Sequence, residues 1–191
     1  MNNKTLKYAL FLLVLGIIAG GLLALVNSFT APVIEGRKRQ AVKELLGEYF
    51  DYARFDKAPL SLYPEKDSTI KDSTIEAIYF AFDDEEDKVA AAVIFQVSAK
   101  GYGGPVVTLV GIKVDGTFDD AVVVEAKNET PGYGSKAIGF DFDVKNKSVD
   151  VKAFKTITGA TYTSNAVHKG ILAAAAHFKT IRNTLGGIKN E

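Results

Sequence analysis

Apolar residues crowd the start of this 191-residue chain, and the polar positions after that point follow two different periods. No side chain between Tyr8 and Ile34 is charged, and the heart of the stretch reads YALFLLVLGIIAGGLLALV. About 20 apolar residues, each rising 1.5 Å, suffice to cross a bilayer as a helix. A cleaved signal peptide is the rival reading, but its apolar region covers roughly 7–15 residues and ends in a small-x-small site. Ser28-Phe29-Thr30-Ala31-Pro32 matches such a site poorly, so the run reads as an uncleaved anchor. Lys4 and Lys7 precede it, and Arg37, Lys38, Arg39 and Lys43 follow it. The positive-inside bias therefore does not fix its orientation. Gly16 and Gly20, with Gly21 and Ala24 beyond, have the spacing that lets helices approach closely in lipid. The ordinary frequency of glycine in membrane helices is the plainer alternative to a packed helix partner.

Past the anchor, Ala41, Val42, Leu45, Leu46, Tyr49 and Phe50 fall on one face of a helix over 35–50 that continues the first, with Pro32 near the junction. Residues 51–75 are polar and contain KDSTI twice in tandem, at 66–70 and 71–75, which reads as a loop. Strands are expected at 75–82 and 89–98, paired as a hairpin around the acidic turn 83–87. That acidic run lacks the spacing of a calcium loop. Further strands are expected at 106–114 and 118–126, joined by the hairpin signal Asp115-Gly116. Another is expected at 149–154, after the alternating Phe140-Asp141-Phe142-Asp143. A final helix carries Val167, Ile171, Leu172, Ala175, Phe178 and Ile181 on one side and stops at Gly186-Gly187, with Thr163 or Ser164 as its N-cap.

Composition narrows the chemistry. With 47% hydrophobic and 24% charged residues the chain is not a disordered polyampholyte. Lys+Arg and Asp+Glu are 23 each, which leaves no basic footprint for nucleic acid. Zero cysteines exclude disulfides, iron–sulfur clusters and thiol nucleophiles, and only His168 and His177 are present to hold a metal through imidazole. Redox chemistry would require an organic cofactor. The two histidines read as structural or solvent-facing.

The turn at 158–164 is the one chemically distinctive place. Hydroxyls surround the Gly159-Ala160 pair, and a helix starts directly after it. Its free N–H groups and positive dipole end suit a phosphate. Simple capping of a strand–turn–helix junction explains the same residues.

Thr158-Gly159-Ala160-Thr161-Tyr162-Thr163-Ser164 resembles the covalent flavin-attachment motif of FMN-binding domains. Such domains occur in the G subunit of the Rnf complex and the C subunit of the sodium-pumping NADH:quinone oxidoreductase. Gly101-Tyr102-Gly103-Gly104-Pro105 and Leu109-Val110-Gly111-Ile112 resemble that family's GYGGP and LVGI stretches. Glu129-Thr130-Pro131-Gly132-Tyr133-Gly134 resembles its ETPGLG loop, with Tyr133 where leucine is usual. The resemblance covers most of the chain, least so 51–75.

It implies an α+β architecture: a membrane anchor over 1–34, an amphipathic helix and polar connection over 35–74, and an FMN-binding domain over 75–191. FMN is then joined through its phosphate to Thr161. Glu129, Thr130, Gly132, Tyr133 and Gly134 lie against the flavin or its ribityl chain. Thr158, Gly159, Ala160 and Thr163 also belong to the cofactor-binding set. The Gly159-Ala160 pair admits the ligand to the backbone, Thr158 and Thr163 shape the turn and cap the helix, and Lys136 either nears the phosphate or stays in solvent. No catalytic residue and no metal ligand is implied. The expected role is an electron-carrier subunit of an ion-translocating ferredoxin:NAD oxidoreductase. Its domain lies outside the cytoplasmic membrane, beside other membrane subunits that include a multi-span flavin-bearing one. A flavin transferase loads it. The quinone-reductase C subunit is the near alternative, though it is usually longer. A membrane-tethered scaffold without flavin and an independent flavoprotein are the others. One position departs from the pattern: Lys155 stands three before Thr158, where the attachment motif usually has an acid.

Overall fold

The computed structural model describes residues 3–64 and 73–185, which divide into two compact units, Met1–Leu45 and Leu46–Glu191. Helix α1 (Asn3–Tyr49) fills the first unit and ends in the second. It runs unbroken through Pro32. Its apolar span, Leu10–Ser28, has 19 residues, a mean hydropathy of 2.5 and no burial against protein. At 1.5 Å per residue that span is about 28 Å long, close to the hydrocarbon thickness of a bilayer. On the face expected over 35–50, Leu46 and Phe50 are buried, Val42, Leu45 and Tyr49 are half-buried, and Ala41 is exposed.

The second unit is a five-stranded antiparallel meander in which each strand pairs with its neighbour in the chain: β1 (Arg54–Lys57), β2 (Ser73–Phe82), β3 (Ala92–Lys100), β4 (Pro105–Lys113) and β5 (Phe118–Glu125). Helix α2 (Thr161–Leu185) packs on it. The α+β reading holds. β3 and β4 lie at the centre and are almost continuously buried, so they read as unbroken apolar runs rather than alternating ones. Val93, Phe95, Val97, Val110 and Ile112 form one core with Val167, Ile171, Ala174 and Phe178 of α2. On the opposite face the Phe50 ring lies directly over Gly111, where a Cβ would collide with it.

Three expectations are corrected. First, 51–75 is not all loop. β1 pairs Arg54 with Phe82 and Lys57 with Tyr79, and the Ala53 N–H donates to the Phe82 carbonyl at 3.0 Å. As an edge strand of sequence RFDK it carries no apolar alternation to reveal it. The first KDSTI copy lies outside the described residues, and Ser73, Thr74 and Ile75 of the second open β2. Second, β3 starts at Ala92 rather than Val89. The Arg54 guanidinium, 4.0 Å above the Phe82 ring, donates to the Glu85 and Asp87 carbonyls and so extends the acidic turn. Third, 149–154 forms no strand, and a single bridge, Thr117 to Ser148, stands beside β5. The Val151 N–H donates to the Ser148 carbonyl at 3.0 Å, so the chain turns at 148–151, where the extended run would have to begin. Phe142, Val144, Val149 and Ile157 are buried because this irregular segment closes the core, not because it extends the sheet. The stop at Gly186-Gly187 lies outside the described residues, where α2 is followed only to Leu185.

Candidate functional site

Three stretches of chain converge on a cleft of about 280 Å³. The loop between β3 and β4 supplies Tyr102, the loop after β5 supplies Thr130, Tyr133 and Gly134, and the turn into α2 supplies Gly159 through Thr163. The second of these is a turn in which Tyr133 N–H donates to the Thr130 carbonyl at 3.2 Å. Pro131 fits its first central position, and Gly132, with φ of 76°, fits the second. The third is a turn closed by the Ala160 N–H on the Ile157 carbonyl at 3.0 Å, with Gly159 at φ 83°. A Cβ on Gly159 would come within 2.9 Å of the Tyr133 ring, so the missing side chain lets the two loops meet.

Thr161 is the first residue of α2, and it is exposed on the cleft. The first i→i−4 bond at this end runs from the Ser164 N–H to the Ala160 carbonyl, at 2.9 Å. The amides of Thr161, Tyr162 and Thr163 therefore precede the helical ladder, at the positive end of the helix dipole. The expected N-cap is corrected here. Thr163 and Ser164 lie inside the first turn, and Ala160, without a hydroxyl, precedes the helix. The Ser164 hydroxyl instead accepts the Ile157 N–H at 2.9 Å and donates to the Ala160 carbonyl at 3.0 Å, which ties the turn shut.

Behind the cleft sits Glu129, 4% exposed. One carboxyl oxygen accepts the Gly103 N–H at 3.0 Å, and the other accepts the hydroxyl of Thr163. One side chain thus joins all three stretches. The glycines around it leave room for that: a Cβ on Gly134 would lie 2.6 Å from Thr163 Oγ1 and 2.9 Å from Glu129 Cβ.

Of the residues singled out in the sequence, Thr130, Tyr133, Gly134, Gly159, Ala160, Thr161 and Thr163 line the cleft. Glu129, Gly132 and Thr158 do not; Glu129 is buried behind it, and Thr158 is exposed on the turn. Lys136 is exposed on the 3-10 turn Gly134–Ala137. Lys155 pairs with Asp141 at 3.6 Å. His168 donates Nε2–H to the Lys155 carbonyl at 2.9 Å and packs against Phe142 and Phe154, while His177 donates to the Leu62 carbonyl at 2.7 Å. Both act as structural ties. Sequence reasoning missed Tyr102 and Tyr162 as cleft residues. Tyr102 lies inside the 101–105 stretch, marked only by its likeness to the family's GYGGP, and Tyr162 stands at the variable position of the threonine motif.

The family model described as the FMN-binding domain matches residues 101–176, which hold every cleft residue. A second, described as the RnfG N-terminal region, matches residues 1–48. The chain is 30% identical to the G subunit of the Na(+)-translocating ferredoxin:NAD(+) oxidoreductase complex of Acetobacterium woodii, over 86% of this chain and 87% of that one. It is 31% identical to the G subunit of the ion-translocating oxidoreductase complex of Pseudomonas aeruginosa, over 96% and 93%. With the corresponding protein of Pseudoalteromonas atlantica it shares 27%, over 100% and 96%. The match thus takes in the apolar N-terminal helix as well as the cleft, as fits a membrane-anchored protein, and the chain belongs to the family of Rnf complex G subunits.

Proposed function

We propose that this chain is the flavin-bearing electron carrier of a membrane-bound ion-translocating ferredoxin:NAD oxidoreductase, with FMN held as a phosphoester on Thr161. The observation that carries this reading is the position of Thr161, an exposed hydroxyl heading α2 inside the cleft, within the segment matched by the FMN-binding domain. The residues fit the group. The amides ahead of the helical ladder oppose a phosphate's charge, side-chain-free Gly159 admits a close approach, and three tyrosines border the space beyond.

When bound, FMN takes up and passes on electrons singly or in pairs, a capacity that a chain without cysteine lacks of itself. Forming the ester would break the Thr161 O–H bond and one P–O bond of the phosphoryl group, with the proton going to the departing oxygen, so the mass gained would be that of FMN less one water. Tyr162 and Thr163 offer N–H groups to the phosphate oxygens. Thr130, Tyr133 and Gly134 form the facing wall, and Glu129, Gly132 and Thr158 hold the two turns in shape. Residues 1–34 anchor the chain, 35–74 connect and add β1, and 75–191 carry the flavin on the outer side of the cytoplasmic membrane. Its neighbours there are the other membrane subunits of the complex, a multi-span flavin-bearing one among them.

The full chain, expressed with and without a flavin transferase, should gain the mass of FMN less water only with it, and Thr161→Ala should gain nothing. A loaded Thr161→Ala chain, or an unloaded wild type in the presence of transferase, would overturn the attachment. Sidedness is read by a membrane-impermeant maleimide on intact cells, since Lys127→Cys, at an exposed position, supplies the only thiol in the chain.

A further inference from the structure

Resting on that reading, we infer that Tyr102 and Tyr162, with Tyr133 across the cleft, are the seat of the isoalloxazine ring. All three line the cleft, and they are 69%, 70% and 56% exposed. Large aromatic side chains left in water at one spot mark a binding surface, because each forgoes its apolar burial. The Tyr102 and Tyr162 rings stand 5.9 Å apart, inclined at 51°. They come from different stretches of chain, and the glycines beside Tyr102 hold its loop in place: a Cβ on Gly103 would collide with the Asn128 carbonyl oxygen. The Tyr133 ring lies beside Gly159, where a Cβ would come within 2.9 Å of it. Tyr162 directly follows the attachment residue, so a ring tethered through Thr161 starts between these aromatics. Flat heteroaromatic rings stack on such side chains whatever their edge substituents.

The tyrosines touch the cofactor and exchange no covalent bond with it. Tyrosine rings in contact with a flavin quench its fluorescence, which gives a readout independent of electron-transfer activity. The loaded full chain in detergent is compared with Tyr102→Leu, Tyr162→Leu and the double variant. The exposed positions leave the fold unchanged, and the melting temperature checks this.

Loss of both rings shifts the seated-to-free ratio of the attached flavin by about tenfold, the effect of ~1.4 kcal/mol of stacking. It is read as a brighter flavin and a larger fast component in the anisotropy decay, while the intact mass shows the same load. Tyr102→Phe keeps the anisotropy slow, because it keeps the stacking face. Unchanged fluorescence and anisotropy in the loaded double variant would overturn the seat and leave the attachment standing. A chain that emerges unloaded would overturn the attachment. FMN titrated onto that chain then tests the seat by the same quenching, lost in the double variant if the inference holds. Absence of quenching in the wild-type titration would overturn it.

Discussion

Glu129→Ala is the most informative single perturbation of the cleft. Two hydrogen bonds end on this carboxyl group, and the two donors differ in what they can do once it is gone. Thr163 is 2% exposed, so its hydroxyl has no water to turn to, and an orphaned buried hydroxyl costs ~1–3 kcal/mol. Gly103 is exposed, so its N–H rehydrates and only the net worth of a hydrogen bond, ~1 kcal/mol, is lost. The buried methylene removed adds ~0.8 kcal/mol. The total, about 3–5 kcal/mol, lowers the melting temperature by roughly 10–15 °C for a unit of this size. The assay is thermal unfolding of the full chain followed by near-ultraviolet circular dichroism. Thr163→Val in the Glu129→Ala background removes the orphan, so the pair should deviate from additivity by about 1–3 kcal/mol. A melting temperature within about 2 °C of wild type, or strict additivity, would refute the argument that this side chain binds three stretches together.

Three more outcomes follow from other contacts. Gly111→Ala displaces the Phe50 ring and destabilises by ~1–3 kcal/mol in urea unfolding, with part recovered by Phe50→Leu. Burial first, and then the neighbouring Asp119 carboxylate, which accepts its hydroxyl at 3.0 Å, raise the Tyr52 phenol above its ordinary 10.0. The unfolded chain therefore loses this proton first. The contribution of Tyr52 is complete below that value and fades as pH rises above it, so Tyr52→Phe should flatten the alkaline fall of the urea midpoint. Lys155→Asp restores the acid expected three residues before Thr158, and should raise the fraction of chain loaded by the transferase in a timed mass measurement.

The fold was legible wherever one residue type dominated a stretch. The uncharged, largely apolar stretch at 8–34 and the β-branched runs of β2 to β5 announced themselves, because a bilayer on one hand and burial in the sheet on the other demand such residues. β1 could not be read, since a polar edge strand obeys no apolar period, and Arg54 acts through its guanidinium rather than its burial. The false strand at 149–154 shows the reverse: Val149 and Val151 satisfied the pattern, while the Ser148 carbonyl and hydroxyl accept the Val151 and Asp150 N–H groups and turn the chain there. Within the cleft, Thr161 and the Pro131-Gly132 turn were visible as motifs. The Glu129 clamp was not, because it joins residues 26 and 34 positions apart in sequence.

The meander also sets an order of assembly. Each strand finds its partner next to it in the chain, so the sheet can grow hairpin by hairpin as the polypeptide emerges, with little loop entropy to overcome. α2 comes last, yet it covers the sheet and begins with Thr161. Thr161 thus reaches its native surroundings only once α2 has docked on the sheet, so on the proposed reading cofactor loading would be a checkpoint that nascent chains fail to pass.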